Sequence, residues 1–514
     1  MFYSILFRNQ KQHEQTRRTY EPDCFKDLNL DQIFAPILKS KEEFELEGFF
    51  YAPLHDAEII TYRQEVMREL ENDALRKLFA SFSKTIYNLD RYMVSIRASL
   101  TSDSSYDNNY LTRGRMLDYA DMYCSEISAL VAGLNGKTLR SEGLSSFTEY
   151  LTAYSESESF KRLCTHVAQL RKELSKVEYS MLIKSGTIRV RKYEGEDDLS
   201  KQILACFEKF RQGEVKDYLQ KVTEEPAAAH VEAAVLDMVA GLYKDTFADL
   251  NSFCGKYLHF LDPTITRFAR EIQFYLSWLD YILPLREAGL PFNYPKLCDT
   301  AEHLYGLDVF DLALAFLKQD KTVTNDFMLK APERIIVITG PNQGGKTTFA
   351  RAFGQVHWLA SLGLCVPGRE ARLFLFDNIL THFVREEDMS ALDGRLQDDL
   401  KRLHGMFEKA TRRSIIIINE IFSSTTLSDA LTLGGYMMDA ISTLRAPAVV
   451  VTFLDELASH GPETVSMMST VEKYDPTQRT YKIIRKPADG LAYAIHIASK
   501  YRLTYKQLCR RLGK

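Results

Sequence analysis

Apolar residues recur at helical spacing through most of the first 290 positions of the chain. In the segment 56–70, Ile59, Val66 and Leu70 lie on one face, with charged residues between them. The same pattern holds for 79–100, 119–134, 160–177 and 203–222. Because few prolines interrupt this region, the pattern predicts a set of long, mostly solvated helices over 46–290.

Residues 178–200 interrupt the helical pattern with strand character. Ile188 and Val190 lie in a short extended stretch beyond Gly186, and helical spacing resumes from about residue 197. A helix, a small tip and a returning helix together predict a lever that carries a tip. Basic residues concentrate there, namely Lys184, Arg189, Arg191 and Lys192, followed by Lys201, Lys209, Arg211 and Lys216.

From about residue 291, short β-branched runs alternate with helical stretches, which predicts a mainly parallel sheet covered by helices. The predicted strands are 335–339, 373–376, 414–419 and 448–453, followed by a hairpin over 465–471 and 480–484. Helices are predicted after residue 346, near 395–411 and over 429–444. The chain is therefore predicted to be multidomain, with an N-terminal segment over 1–45, an all-α core and lever over 46–290 with a small clamp tip near 178–200, an α/β domain over 291–500 and a helical tail over 501–514.

Composition and charge change this picture little. Of 514 residues, 45% are hydrophobic and 26% charged, a balance typical of soluble globular proteins. The net charge of −4 argues against a histone-like protein but allows a basic patch on one domain. Scattered cysteines without a C-x-x-C pair favour reduced thiols. Because no apolar stretch approaches the ~20 residues of a membrane span, we expect a cytoplasmic protein without a membrane partner.

Residues 340–347 carry the clearest chemical signal. They fit G-x-x-x-x-G-K-S/T between a strand and a helix, where such a P-loop cradles phosphate oxygens with backbone N–H groups. Lys346 is expected to reach the β- and γ-phosphates of ATP, and Thr347 to ligate Mg²⁺. A plain glycine-rich turn is the alternative interpretation. The predicted nucleotide contacts are Gly340, Pro341, Asn342, Gln343, Gly344, Gly345, Lys346 and Thr347.

A run of isoleucines at 415–418 predicts a central strand that ends in Asn419 and Glu420 near the same site. In such ATPases the first position is an acid that orients Mg²⁺, and the second polarises the attacking water. Asn419 orients a water but carries no charge, so we expect weak Mg²⁺ affinity and slow turnover. Glu420 is the predicted general base, unless it is a solvated acid at a strand end. The catalytic candidates are Glu420, Lys346 and Asn419, and the metal candidates are Thr347 and Asn419.

At these residues the sequence resembles the MutS family of DNA mismatch-repair ATPases, members of the ABC ATPase class. The family's P-loop reads G-P-N-M-G-G-K-S/T, so Pro341 and Asn342 match beyond the general motif. Its Walker B region reads D-E-I-G-R-G-T-S before an Asp-containing D-loop, and NEIFSSTTLSD here places Glu420, Thr425 and Asp429 in register. Further similarities are Asn325-Asp326, GLCVPG at 363–368 and PLHDAEIITYRQEVMREL at 53–70. The resemblance is specific over about 320–460 and architectural over 50–310.

The resemblance implies a C-terminal ABC-type ATPase domain in which two subunits sandwich two nucleotides. With a single P-loop in this sequence, we expect a homodimer, or a heterodimer with a paralogue, rather than an active monomer. Asp429 is expected to cross the dimer interface, and Thr348 and Phe349 to line the nucleotide pocket. The implied function is an ATP-driven clamp on branched or damaged duplex DNA in repair or recombination.

Several departures from the family bear on that function. Residues 1–50 are too few for the mismatch-reading domain, and the connector domain is not apparent, so we expect a short paralogue that does not read mismatches. The Walker B Asp is Asn419, the switch His is Phe453, and the signature serine is not kept at Asp393-Gly394-Arg395. These changes argue against fast hydrolysis and leave ATP binding and nucleotide-gated dimerisation in place.

In the family, two lever arms close around duplex DNA and their tips contact phosphates. Lys184, Arg189, Arg191 and Lys192 are the candidate contacts, with salt-dependent and sequence-independent affinity. The alternative is a merely solvated tip, since acids at 194 and 196–198 dilute its positive field. Two other functions stay open. One is a regulatory nucleotide-binding scaffold with little hydrolysis, and the other is a long-helix ATPase that bridges proteins, as chromosome-organising ABC ATPases do.

Overall fold

The chain forms two compact units in a computed structural model that describes residues 2–15, 20–101, 110–184, 187–195, 226–318, 321–384, 394–472, 478–488 and 503–511. The first unit comprises Met1–Arg76, Leu139–Ser145 and Glu271–Lys514, and the second Lys77–Thr138 and Ser146–Arg270. Residues 1–76 thus pack in the same unit as the C-terminal α/β part. The functional domain boundaries at 45 and 290 stay predictions.

The second unit is mainly helical. Its helices are Tyr110–Leu134, Glu158–Leu174, Pro226–Leu242 and Lys244–Tyr257, and the helices Asp73–Thr101, Glu142–Glu156 and Pro263–Glu287 have residues in both units. Glu158–Leu174 illustrates why these segments are helical. It buries Phe160, Leu163, Val167 and Leu170 at helical spacing, and Ser157 caps its start by accepting from the Phe160 N–H at 3.3 Å. The predicted helix over 203–222 lies outside the described residues.

A hairpin in the second unit forms from the segment predicted to have strand character. Strand β1 (Tyr179–Lys184) pairs antiparallel with β2 (Thr187–Lys192). The hydroxyl of Tyr243 donates to the Glu178 carbonyl at 2.6 Å and ties the base of the hairpin to the neighbouring helix. Residues 185, 186 and 196–200 of the predicted tip lie outside the described part of the chain.

The first unit contains the remaining strands. They are β3 (Phe292–Asn293), β4 (Lys296–Cys298), β5 (His303–Val309), β6 (Asn325–Lys330), β7 (Ile335–Thr339), β8 (Val366–Pro367), β9 (Glu370–Phe374), β10 (Ile379–Phe383), β11 (Ile415–Asn419), β12 (Ala448–Val451), β13 (Thr464–Val471) and β14 (Arg479–Arg485). Within the described residues, the main sheet has the order β10-β11-β12-β7-β13-β14. Its strands are parallel except β14, which pairs antiparallel with β13. The predicted parallel sheet and the later hairpin are confirmed.

One predicted strand lies outside the main sheet, and the edge strand of that sheet was not predicted. The predicted strand at 373–376 is β9, which begins at Glu370 and belongs to a second sheet of order β4-β9-β5-β6. The edge strand of the main sheet is instead β10, whose residues include Thr381 and His382. Polar residues inside β10 weaken its apolar pattern, so the sequence predicted a strand only in the more hydrophobic run nearby.

The first unit also contains the remaining helices. They are Gln10–Gln15, Cys24–Leu28, Leu30–Ser40, Glu47–Phe50, Ala57–Leu70, Leu312–Lys318, Lys346–Ser361, Arg395–Lys409, Leu427–Leu444 and Tyr505–Arg511. None of the helices in the described ranges combines the length and apolar character that crossing a membrane requires.

The centre of the main sheet is buried on both faces, as expected for parallel strands. Ile416 and Ile418 of β11 pack in one cluster with Met437 of the helix Leu427–Leu444. The neighbouring Ile417 faces the helix Lys346–Ser361, where a Cβ at Gly354 would lie 2.9 Å from its Cδ1. The sheet therefore fixes the P-loop helix closely on one face.

The N-terminal segment holds the outer side of this P-loop helix. Gln355 donates to the Leu28 carbonyl at 2.8 Å, and Arg351 donates to the Asp27 carbonyl at 3.0 Å. A Cβ at Gly354 would also lie 2.6 Å from a methyl of Leu28. The helix that follows the phosphate loop is thus clamped between β11 and the helix Cys24–Leu28.

Candidate nucleotide site

The loop at 340–347 lies at the carboxyl end of β7, the strand between β12 and β13. Its backbone has positive φ angles at Gly340 (108°), Gln343 (59°) and Gly345 (91°). Gly345 precedes the helix Lys346–Ser361, whose first N–H groups have no partners within the helix. The loop therefore has the turn and the helix N-terminus that a phosphate-binding loop requires.

The glycines of this loop fit against β13 and β14. A Cβ at Gly340 or Gly344 would lie 2.7 or 2.5 Å from the hydroxyl oxygen of Ser469, which is too close for real atoms. A Cβ at Gly345 would come within 3.5 Å of the Tyr481 carbonyl, and its φ of 91° disfavours any side chain. The loop is thus compatible with glycine alone at these positions.

Lys346 is buried at the start of the P-loop helix. Its Nζ donates to the Gly340 carbonyl at 2.8 Å and to Asn342 Oδ1 at 3.3 Å, so the side chain folds back over the loop. Burial lowers the pKa of the Lys346 ammonium, the carboxylates of Glu420 and Asp455 oppose that shift, and the guanidinium of Arg479 adds to it. An anionic phosphate at this position would relieve the desolvation of the ammonium.

Thr347 meets the second predicted motif. Its hydroxyl donates to Asn419 Oδ1 at 2.9 Å, and Asn419 is 7% exposed at the end of β11. Glu420 follows with φ of 57°, and its N–H donates to the Val451 carbonyl of β12 at 2.9 Å. The hydroxyl and amide oxygens fit Mg²⁺, which takes few protein ligands besides phosphate oxygens and water.

A metal held by protein side chains alone does not fit this site. Within the described part of the chain, no group of three or more His, Cys, Asp or Glu side chains is placed to hold a metal ion. Thr347 and Asn419 would hold Mg²⁺ only together with phosphate oxygens and water.

Thr348 and Phe349 line a small crevice beside the P-loop helix, and their contact with a nucleotide stays a prediction. Its other walls come from β5, β6 and the segments next to them, and include Phe310, Asn325 and Phe327. Asn325 also accepts from the Ile483 N–H at 2.7 Å, which joins β6 to β14. The crevice combines aromatic surface with an amide group.

Asp429 lies in the first turn of the helix Leu427–Leu444, which Thr426 caps. Its N–H donates to Thr426 Oγ1 at 3.2 Å, and its carboxylate accepts from the same hydroxyl at 2.9 Å. The side chain is exposed, and its role across a dimer interface stays a prediction. In the predicted signature segment, Asp393 lies outside the described residues, and Gly394 precedes the helix Arg395–Lys409.

Sequence reasoning missed two charged residues at this site. Asp455 follows β12, and Arg479 begins β14; both affect the pKa of Lys346. Asp455 had a usable signal, because it comes shortly after a predicted parallel strand whose carboxyl end lies beside the P-loop. Arg479 had none, because a hairpin strand gives no hint of which neighbour it crosses.

The predicted DNA contacts lie in the second unit and divide between the two faces of the hairpin. Strand register places Lys184, Arg189 and Arg191 on one face, all exposed. Lys192 belongs to the opposite face, where its Nζ lies 5.1 Å from the centroid of the Tyr243 ring. The hairpin therefore presents one face with three cations rather than a ring of four.

Comparisons with known proteins point to one family. A family model described as MutS domain V matches residues 336–508. The chain is 25% identical to the DNA mismatch repair protein MutS of Lactobacillus johnsonii over 370 residues, which cover 69% of this chain and 40% of that protein. It is 27% identical to the protein of the same name from Dehalococcoides mccartyi over 312 residues, 58% of this chain and 34% of that protein. It is also 26% identical to Endonuclease MutS2 of Gemmatimonas aurantiaca over 181 residues, 35% of this chain and 22% of that protein.

In each case the matched segment covers less than half of the relative. The family model spans the P-loop and the end of β11, where Asn419 and Glu420 lie. The matched range includes the whole loop at 340–347. Over the segments that they match, these comparisons support membership of the MutS family.

Proposed function

We propose that this protein is an ATP-dependent DNA clamp, in which ATP binding closes a dimer on duplex DNA and hydrolysis reopens it. The observation that carries the proposal is the hydrogen bond between Thr347 and Asn419 at 2.9 Å. It brings the end of the P-loop and the end of β11 together at one edge of the sheet. Metal-assisted phosphoryl transfer requires these two elements side by side.

In this proposal, the backbone N–H groups of 341–345 and the Lys346 ammonium hold the phosphates of ATP. The Thr347 hydroxyl and the Asn419 amide hold Mg²⁺, which supplies charge neutralisation at the phosphates. Glu420 orients and deprotonates the attacking water. Thr348 and Phe349 contact the rest of the nucleotide. Because Asn419 lacks the negative charge of an acid, we expect slow turnover.

The proposed assembly is a homodimer or a heterodimer with a paralogue. Asp429 is exposed at the start of its helix, close in sequence to Glu420, where a second subunit has access to it. Leu427 and Tyr436 of the same helix are 62% and 68% exposed. Apolar groups at this exposure favour a surface that is covered in an assembly.

The proposed DNA contact is the hairpin face with Lys184, Arg189 and Arg191. Three cations on one exposed face favour phosphate binding without base recognition. The curated relatives include proteins named for DNA mismatch repair and for endonuclease activity. We propose branched or damaged duplex as the substrate of this chain, with a role in repair or recombination.

A second candidate function is a regulatory scaffold that binds ATP and hydrolyses it hardly at all. Asn419 favours it, as does Phe453, which is 49% exposed where the family has its switch His. An apolar ring at that position cannot donate a hydrogen bond to a phosphate. The two candidates differ in turnover, not in nucleotide binding.

ATP turnover of the purified protein and of Glu420→Gln tests the proposal. Each is assayed alone, with a four-way junction, with a mismatched duplex and with a matched duplex. We expect turnover of the unmodified protein to rise most with the junction, and Glu420→Gln to bind ATP but not hydrolyse it. Binding of ATP without turnover in any sample would instead establish the regulatory scaffold.

A further inference from the structure

The candidate nucleotide site lacks the carboxylate that the family has at the end of the Walker B strand. Asn419 occupies that position, and its Oδ1 already accepts from the Thr347 hydroxyl at 2.9 Å. An amide oxygen is a metal ligand without charge, whereas Mg²⁺ binding sites use one or two carboxylates beside the phosphates. Glu420, in the next position, is the acid proposed to act on water.

Asp455 lies at the same edge of the sheet. It follows β12, which stands between β11 and β7 in the sheet and therefore points its carboxyl end between Asn419 and the P-loop. The Thr452 N–H donates to the Ile338 carbonyl of β7 at 3.1 Å, and Thr452 Oγ1 accepts from the Leu454 N–H at 3.0 Å. These bonds turn the chain over the end of β7.

Asp455 then begins the 3₁₀ helix Asp455–Ser459, which contacts β7 and β13. Both of these strands border the phosphate loop, β7 by leading into it and β13 through Ser469 beneath Gly340. The backbone therefore holds the first residue of this helix beside the loop. Asp455 is half-buried, whereas its neighbour Glu456 is exposed.

The electrostatics of Lys346 agree with this placement. Glu420 and Asp455 both raise the pKa of the Lys346 ammonium, against the lowering effect of its burial. Coulomb interactions weaken with distance and with exposure to water, so this effect agrees with the position of Asp455 given by the backbone. The carboxylates of Asp455 and Glu420 thus both affect the Lys346 ammonium.

We propose that Asp455 supplies the negative charge for nucleotide-bound Mg²⁺ that Asn419 does not, as a second carboxylate of the site. This inference rests on the proposed function, because it requires a nucleotide at the P-loop. It assigns a role to a residue outside both motifs. The carboxylate attracts a hydrated cation and repels bare phosphate, so its removal has opposite effects with and without the metal.

Binding of a non-hydrolysable ATP analogue, measured by isothermal titration calorimetry with Mg²⁺ and in EDTA, tests the proposal. The quantity of interest is the gain in affinity that Mg²⁺ confers. We expect Asp455→Asn to reduce this gain about tenfold, the effect of one charge near a site of low dielectric constant. Affinity in EDTA should rise slightly, because a repulsive carboxylate is removed. Glu456→Gln, the neighbouring acid, is the matched control and should keep the full gain.

Two further variants guard against a folding defect. Asp455→Ser keeps a side chain suited to a helix start and should behave as Asp455→Asn does. The double variant Asn419→Asp with Asp455→Asn should recover the Mg²⁺ gain, since it returns a carboxylate to the strand end. An unchanged gain in both single variants overturns the role of Asp455 while the proposed function stands. Absence of analogue binding in the unmodified protein overturns both.

Discussion

The nucleotide site and the basic hairpin place their functional groups in opposite ways. At the nucleotide site, buried strands end at one sheet edge, and short contacts such as the one between Thr347 and Asn419 fix each group. In the hairpin, exposed cations depend on the alternation of an isolated pair of strands. The first arrangement suits chemistry that requires fixed geometry, and the second suits contact with a uniformly charged polymer such as the proposed duplex DNA.

The difference also concerns solvation. Lys346 is 4% exposed and hydrogen-bonded, so its charge acts in a medium of low dielectric constant. Arg189 and Lys184 are exposed, so salt screens their charges. A single substitution should therefore have a large effect at the nucleotide site, whereas the hairpin should lose affinity in small, salt-dependent steps.

Replacing Lys346 by Ala gives the largest expected effect. Loss of a buried, charged phosphate contact should weaken ATP binding about 100-fold. Calorimetry measures the change, and Lys318→Ala, an exposed lysine of the same unit, is the control. A loss of ATP affinity below about fivefold would contradict the expectation that single substitutions have larger effects at the nucleotide site than in the hairpin.

Replacing Arg189 and Arg191 together by Ala tests the exposed face. Loss of two phosphate contacts should weaken junction binding about 30-fold at low salt and reduce the slope of log affinity against log salt by about two. Fluorescence anisotropy at several salt concentrations measures both quantities. ATP binding should be unchanged, because the hairpin belongs to the other unit.

Lys192→Ala is the matched control for the hairpin, since Lys192 belongs to the opposite face above Tyr243. It should lower DNA affinity by a small factor and leave the salt slope nearly unchanged. Equal losses from Lys192→Ala and from Arg191→Ala would mean that strand register does not define the DNA-binding face.

The smallest expected effect is a loss of folding stability at low pH. Burial lowers the pKa of His357, in the P-loop helix, from 6.5 to about 4, and its Nδ1–H donates to the Phe353 carbonyl at 2.7 Å. Because the unfolded chain accepts a proton at higher pH than the folded one, the free energy of unfolding falls as pH drops from about 6.5 to about 4. Between about pH 7 and about pH 5.5, His357 should account for about 1 kcal/mol of that loss.

His357→Gln removes this acid sensitivity, and urea unfolding followed by fluorescence of Trp278 and Trp358 measures it. Both tryptophans are buried in the same unit as His357. His404→Gln is the control, since His404 is 78% exposed and should change nothing. An undiminished acid sensitivity in His357→Gln would contradict the assignment.

Much of the geometry of the candidate nucleotide site could be predicted from the sequence, because its parts are contiguous. Residues 340–347 follow one buried strand, and Asn419 and Glu420 end another, so strand order alone brings them together. The hairpin at 179–192 was also predictable, from β-branched residues around a glycine. In both cases a local pattern carried the information.

Other features depended on contacts between distant segments. Leu28 and Asp27 hold the P-loop helix from more than 300 positions away, and no local pattern indicates that. The division of the hairpin cations between two faces required the register of β1 and β2. The place of Arg479 near Lys346 required the pairing of β14 with β13, which the sequence does not state.

Glu420 has a left-handed backbone with φ of 57°. Thermal stability and activity therefore favour different residues at this position. A glycine there would avoid a cost of about 1 kcal/mol that an ordinary side chain incurs in this conformation. A library selected only for survival at high temperature should therefore enrich Glu420→Gly, and a library selected for hydrolysis should eliminate it. Stabilising mutations collected without an activity screen would, at this position, yield a protein that binds ATP but lacks the hydrolysis step of the proposed function.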